Sequence, residues 1–480
     1  MNGRRDSVLW VDVSDLVDYL MRHNRPSGIQ RVAFEICAAL QRRDDGAGRV
    51  GFVVREGGPR DLVTLDWNEL ESAFGLITKA SVPKRLLRKS RAAGASGVDD
   101  ARLWDVLASA LRLQGRALLE LFKLPAAFAD WVLGAVRGTV EARRVHTLHG
   151  RSRLRRVRTG GKFKSEMLAS VAMPGDSLAV FGSPWFHDDY VKTIRWVRDD
   201  LRMRFALLIH DLIPVRRPEW CDRGVITTFA AWHRSVLPLV DQIFANSRFT
   251  ANDITSWMQT SGLELPNAVR PVPIGTGLPP QSDQSAAVAA QLPAPGSYVL
   301  FVSTLEARKN HMLLFRVWRR LLADLPPDRV PTLVFAGNVG WLVSDLMQQL
   351  ENADWLGGAI QMITQPSDEE LRALYRGCRF TLFPSFHEGW GLPVSESLAL
   401  GQPCLASNST SLPESGGDFA RYFDPENFED AYRAVRAVLD DPAGLEEWRL
   451  RVRRDFRPVQ WTDSATAIWE AIDALDAVPA

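Results

Sequence analysis

The chain has 480 residues, 46% hydrophobic and 24% charged, the make-up of an ordinary globular protein with room for about two or three domains. Its 58 basic and 57 acidic residues leave a net charge of +1, so no global field argues for nucleic acid as a partner. Four scattered cysteines (Cys37, Cys221, Cys378, Cys404) form no CxxC pair, which argues against zinc or dithiol chemistry and suits buried thiols in a reducing compartment.

Arg4 and Arg5 open the chain, but Asp12 and Asp15 break the apolar stretch that a secretory leader needs, so no leader is expected. No run of about 18 consecutive apolar residues occurs, hence no membrane-spanning helix is expected. The nearest candidate, LPAAFADWVLGAV, contains Asp130. These features point to the cytoplasm, with room for peripheral contact at the inner membrane.

From the start, VLWVDV, VGFVV, SLAVFG, FALLIHD and QIFANS are continuous apolar runs, as expected of parallel strands covered on both faces. Amphipathic segments such as IQRVAFEICAALQRR separate them. The βαβα order predicts an α/β domain over residues 1–275. Between about residues 75 and 173 the strand signal fades, and PKRLLRKSR and ARRVHTLHGRSRLRRVRTGGKFK are strongly basic. This predicts a basic insertion of helices and loop. A solvated charged face is the plainer account of it; docking on an anionic membrane surface is the sharper one.

Residues 276–297, rich in Pro, Ser, Gln and Ala, read as a linker. The strand pattern then restarts with YVLFVST, PTLVFAGN, IQMIT, RFTLFPS and PCLASN, so a second α/β domain is expected over 298–460. A helix over 461–480 closes the chain, with Asp463 or Ser464 as its cap. There is no GxxxxGK[ST] and no GxGxxG after the first strand, which disfavours a P-loop enzyme and a dinucleotide dehydrogenase.

The chemistry concentrates in FPSFHEGWGLPVSESLALG. RFTLFPS is a strand whose carboxyl end is where an open parallel sheet binds ligands. Gly389 and Gly391 allow close backbone approach, and Pro393 suits a helix start. Glu396 then falls near a helix N-terminus, whose free N–H groups favour anions. Two carboxylates at this spacing prove little alone: they could be an acid/base pair, grips on a ligand, or surface charges.

In context, PSFHEGWGLPVSESLALGQPCLASNSTSLPE resembles the signature of GT-B glycosyltransferases related to family 4, which are retaining enzymes using nucleotide-sugar donors. Their EX7E motif falls on Glu388 and Glu396. The resemblance implies two Rossmann-like domains facing across a cleft, with Glu388 toward the donor sugar and Glu396 on the ribose hydroxyls. It also implies donor contacts from the corner Gly389, Trp390, Gly391 and Leu392. FVSTLEARKNHMLL is similar to the family's diphosphate-binding segment, with Arg308 and Lys309 as the cations; many members carry an arginine earlier, where Ser303 stands. Fixed cations there would stabilise the departing diphosphate. In the first domain the resemblance implies Gly28 near donor phosphates and acceptor, His210 near the donor sugar, and Ser247 near the phosphates. Taken without it, Gly28 is a turn before a helix and His210 a structural histidine.

A hexosyltransferase acting on a saccharide or lipid-linked acceptor in surface-polysaccharide synthesis is therefore expected, with GDP-mannose the favoured donor. No cofactor and no metal are expected. The alternatives are a glycoside hydrolase using Glu388 and Glu396, or a non-catalytic sugar-binding protein of the same fold.

Overall fold

A computed structural model describes residues 7–23, 25–44, 46–79, 165–187, 189–277 and 292–476, which all fall in one compact unit. The basic segments, most of the expected insertion and most of the linker lie outside the described residues.

The first lobe is built on seven strands: β1 (Leu9–Asp12), β2 (Val50–Arg55), β3 (Leu62–Leu65), β4 (Ser177–Val180), β5 (Arg204–Ile209), β6 (Gln242–Ala245) and β7 (Arg270–Pro271). Their order is β3-β2-β1-β4-β5-β6-β7. All pairs are parallel except β2 with β3, which run antiparallel with Phe52 opposite Leu65. The turn between those two is tied by Asp61, whose carboxylate accepts from Gly58 N at 2.7 Å.

The second lobe is built on β8 (Tyr298–Val302), β9 (Thr332–Ala336), β10 (Ile360–Ile363), β11 (Thr381–Phe383), β12 (Cys404–Ser407) and β13 (Arg421–Phe423), ordered β10-β9-β8-β11-β12-β13. Every pairing is parallel. This is a doubly wound sheet, and its order reverses between β8 and β11. Loops leaving those two strands diverge and open a crevice at their carboxyl ends. Strands buried on both faces need apolar residues throughout, which is why the runs do not alternate. Phe301, Phe335 and Phe383 meet edge to face at centroid distances of 5.7–6.1 Å in the second core. Trp318 is fully buried there, and its indole N–H donates to Pro331 O at 2.8 Å.

The terminal helix, Trp461–Asp476, returns to the first lobe. Asp463 accepts from Gln460 N at 2.9 Å and so serves the helix start. Ser464 does not cap. Its hydroxyl donates to Pro273 O at 2.5 Å and accepts from Gly275 N at 3.0 Å, pinning the helix to the end of the first lobe. The chain thus crosses between the lobes twice.

Candidate functional site

The loop after β8 carries Glu306, Arg308 and Lys309; the loop after β11 carries His387 and Glu388. They therefore meet at the switch point of the second sheet. Lys309 Nζ lies 2.6 Å from Glu388 Oε1, and Arg308 Nη1 lies 2.8 Å from Glu388 Oε2. Arg308 also donates to His387 O at 2.7 Å and pairs with Glu306 at 3.2 Å. Phe386 N donates to Arg308 O at 3.0 Å, so the two loops are stitched through their backbones as well.

This cluster is buried, and burial alone would push the Glu388 carboxyl up. Arg308 and Lys309 outweigh that effect and hold it down at about 2. Burial lowers the Lys309 pKa and Arg308 adds to this, with Glu388 opposing. Burial opposes the Arg308 charge, but Glu388, Glu306 and Asp211 more than restore it. The arrangement is a pair of fixed cations bridged by Glu388, with Glu306 as a second carboxylate on Arg308.

The helix Leu392–Ala399 begins at the Gly-Leu-Pro corner, with Gly391 in the left-handed region at φ 98° as its cap. Glu396 lies one turn in. Its Oε2 accepts from Tyr375 Oη at 3.0 Å, and burial raises its pKa, with Arg31 the leading opposing charge. The Trp390 indole N–H is buried without a partner among the described residues. Gly389 is enforced by packing: a Cβ there would stand 1.8 Å from the carbonyl oxygen of His210 in the other lobe.

His210 follows β5. Its Nε2 contacts Phe181 O at 2.8 Å, and burial lowers its pKa to about 4, so the ring is neutral near pH 7. Its backbone over Gly389 brings it to the site. Ser247 is committed differently: its hydroxyl accepts from Thr250 N at 2.9 Å and caps the helix Arg248–Thr260. That helix end already holds an anion, because the Glu414 carboxylate accepts from Arg248 N at 2.9 Å and Phe249 N at 2.7 Å. Gly28 starts the helix Gly28–Asp44 and faces Leu392, its added Cβ lying 3.9 Å from Leu392 Cδ1.

Sequence reasoning missed several groups at this face. Arg31 donates to Asp368 across the lobes at 2.6 Å. Asp15, at the carboxyl end of β1, accepts from Ser183 N at 2.6 Å; burial raises its pKa to about 6. Trp220 of the first lobe stacks on Phe386 at 5.5 Å. Arg31 carried a weak signal, a charge amid buried positions of an amphipathic helix; the others carried none. Among the described residues no group of three or more His, Cys, Asp or Glu could hold a metal ion, and no helix is long and apolar enough to cross a membrane.

Two facing parallel-sheet lobes with a cation–carboxylate cluster at the switch point define the class: the chain has the GT-B fold. Residues 286–455, in the second lobe, match the model described as glycosyl transferases group 1. The serotype-specific mannosyltransferase WbdA of Escherichia coli is 27% identical over 251 residues, 49% of this chain and 29% of that protein. The O-antigen chain mannosyltransferase B of Escherichia coli is 32% identical over 178 residues, 37% of this chain and 46% of that protein. The chain thus spans less than half the length of these curated relatives. Among solved structures, Anabaena Alr3699/HepE in complex with UDP and glucose covers 98% of this chain and 100% of its own, with TM-score 0.54 and 14% identity. The sucrose-phosphate synthase of Thermosynechococcus elongatus gives the same coverage, with TM-score 0.53 and 16% identity.

Proposed function

We propose that the protein transfers a hexose, mannose in our reading, from a nucleotide-diphosphate sugar to a saccharide or lipid-linked acceptor in surface-polysaccharide synthesis, with retention at the anomeric carbon. The observation that carries this is the buried contact of Arg308 and Lys309 with Glu388 at the switch point. A diphosphate there would take over the two cations, which stabilise the charge that develops on it as the sugar–phosphate bond breaks. Glu388, released from them, is the acceptor for sugar hydroxyls. We assign no covalent nucleophile; the departing phosphate takes the acceptor proton on the same face. With two fixed cations in place, a divalent ion has no necessary task. The relatives' names, mannosyltransferases of O-antigen and serotype chains, support the choice of sugar and setting.

The hydrolase alternative requires a carboxylic acid that donates a proton to the leaving oxygen. Glu388, held at about 2 by Arg308 and Lys309, is not that acid, and Glu396, whose carboxyl burial raises, already accepts from Tyr375. The test is transfer from GDP-mannose to a mannose-terminated glycolipid, followed by NMR of the new anomeric centre. Retained configuration, activity surviving EDTA, and loss of transfer in Lys309→Ala are expected. An inverted product would overturn the mechanism, and absence of transfer from every nucleotide sugar would overturn the function.

A further inference from the structure

The loop leaving β9 gathers apolar side chains at the surface. Val339, Trp341 and Leu342 are 47%, 50% and 55% exposed, three of the seven large hydrophobic side chains open to water among the described residues. Scattered ones need no explanation, whereas three in one loop beside a site mark a surface that something covers. Leu342 is also held in the left-handed region at φ 57°, a costly conformation for a branched side chain that no burial of its own repays. The loop is nonetheless fixed. Leu305 N donates to Asn338 O at 2.8 Å and Gly340 N to Leu305 O at 2.9 Å, which stitches it to the segment carrying Glu306 and Arg308. Trp341 reaches the other lobe, where its indole N–H donates to Trp220 O at 3.0 Å. Trp220 carries the Arg217 guanidinium 3.7 Å from its ring centroid and stacks on Phe386, whose N–H donates to Arg308 O at 3.0 Å. Trp341 thus stands at the seam of the two lobes, tied from both sides to the neighbours of the cation cluster. Its polar atom is satisfied, so what it still offers is its ring.

We infer that Trp341 forms an acceptor subsite at this seam, its ring stacking on a pyranose of the acceptor saccharide behind the residue that attacks. This rests on the reading of the protein as a glycosyltransferase. The chemistry selects a sugar over other occupants. A pyranose presents C–H bonds on its faces and hydroxyls round its rim. That suits a half-exposed indole beside a charged pair, here Arg217 and Glu219 at 2.6 Å. An acyl chain would strip water from that pair and give it no hydrogen bond in return. A stable protein partner would need about 20–30 residues a side, far more than this loop offers. The connection also sets the order along the acceptor. Trp341 is linked to Glu388 through Trp220, Phe386 and Arg308, which sets it back from the reacting sugar. The attacking residue stays on the side of the first lobe, and the chain behind it crosses the seam over Trp341.

The test is steady-state transfer by the full chain to mannose-terminated glycolipids that carry one, two, three or four mannose residues on the same lipid. With wild type the acceptor KM is expected to fall about fivefold or more as the saccharide lengthens, the worth of one stacked ring. Trp341→Ala is expected to lose most of that fall. Trp341→Phe keeps a ring but loses the N–H given to Trp220, and is expected to keep most of it. If Trp341→Ala keeps the full dependence on length, whatever its kcat, Trp341 only joins the lobes and the inference is overturned. No dependence on length in wild type overturns it too, as does Trp341→Phe losing the dependence as fully as Trp341→Ala. In each of these cases the proposed function stands. Wild type transferring to none of the glycolipids from any nucleotide sugar overturns both. Circular dichroism and melting show that each variant is folded, and Trp341→Leu replaces Trp341→Ala if the latter is not.

Discussion

Lys309 Nζ and Glu388 Oε1 are 2.6 Å apart in a buried setting, with Arg308 on the other oxygen of the same carboxylate. The donor-binding cations of the proposed mechanism are therefore both occupied by the acid expected to face the sugar, and Arg308 by Glu306 as well. A buried cation pair left alone would be unstable, since removing one partner of a buried ion pair costs about 3–5 kcal/mol. Glu388 is in this sense a place-holder for the diphosphate.

This predicts opposite effects of Glu388→Gln on binding and on turnover. Without that carboxylate, Lys309 is freed and Arg308 keeps only Glu306, so the bound nucleoside diphosphate should be held several-fold more tightly. Transfer should fall by about 100-fold or more, because an interaction made with the reacting sugar is lost. Calorimetry with the nucleoside diphosphate and an initial-rate assay check the two arms. Parallel loss of binding and rate would show that Glu388 does not compete for the cations.

Acid lability is built into the buried histidines. Burial lowers the pKa of His210 and His233 to about 4 and of His311 to about 3. In the unfolded chain they titrate near 6.5, so between that value and about 4 the unfolded state binds more protons. The stabilisation is complete above pH 6.5 and is lost as pH falls, by on the order of 3 kcal/mol for each ring. Asp15, raised by burial to about 6, works the other way, as do the other carboxyls that burial raises, Glu35, Asp211, Asp253, Glu306 and Glu396; the imidazoles, which begin to titrate at the higher pH, set the direction below 6.5. Glu388, held at about 2, adds a second loss below about pH 4.5. Melting temperature measured from pH 7.5 to 4 should stay nearly level down to about 6.5 and fall below it; a flat profile between 6.5 and 4 would contradict the buried neutral rings.

The parallel strands were legible because burial on both faces demands runs such as VLWVDV and FALLIHD, and β1 and β5 fall inside them. The strands β3, β7 and β13 were not: all three are edge strands, β7 and β13 have exposed positions, and none lies in a long continuous apolar run. In the site, Glu388 with Arg308 and Lys309 could be proposed because the segments that carry them, after β11 and β8, resemble the family's motif segments. Arg31 with Asp368 could not: Arg31 stands out only as a charge amid buried positions, Asp368 looks like an ordinary charge at a helix start, and the partners are 337 residues apart. Ser247 shows the converse. The resemblance implied that it lies near the phosphates, whereas in the structure its hydroxyl accepts from the backbone N–H of Thr250 and caps a helix.

Two glycines in the site separate packing from ligand approach. A methyl at Gly389 would stand 1.8 Å from His210 O, a backbone atom that cannot step aside, so Gly389→Ala should force the lobes apart. It should cost about 1–3 kcal/mol of stability and abolish most transfer. At Gly28 the same methyl meets Leu392 Cδ1 at 3.9 Å, ordinary contact. Gly28→Ala should therefore melt like wild type, while transfer falls because phosphate or acceptor loses its close approach to the backbone. If Gly28→Ala keeps full activity, Gly28 is only the turn before its helix.

Glu414 joins the lobes without belonging to the reaction. It lies in the short helix Leu412–Gly416 of the second lobe and accepts from two N–H groups at the start of Arg248–Thr260 in the first. The free N–H groups and positive dipole end of that helix favour a carboxylate, and such a cap is worth about 1 kcal/mol. Glu414→Ala should lower stability to urea by about that amount. Its larger effect should fall on turnover: the donor groups Arg308, Lys309 and Glu396 all stand on the second lobe, whereas the acceptor is expected on the first. Nucleoside diphosphate binding should then stay within about threefold of wild type while kcat falls, because the two substrates are no longer held together. Wild-type kcat in Glu414→Ala would mean that the cap serves the helix alone and that closure is secured elsewhere, with Arg31–Asp368 the next contact to remove.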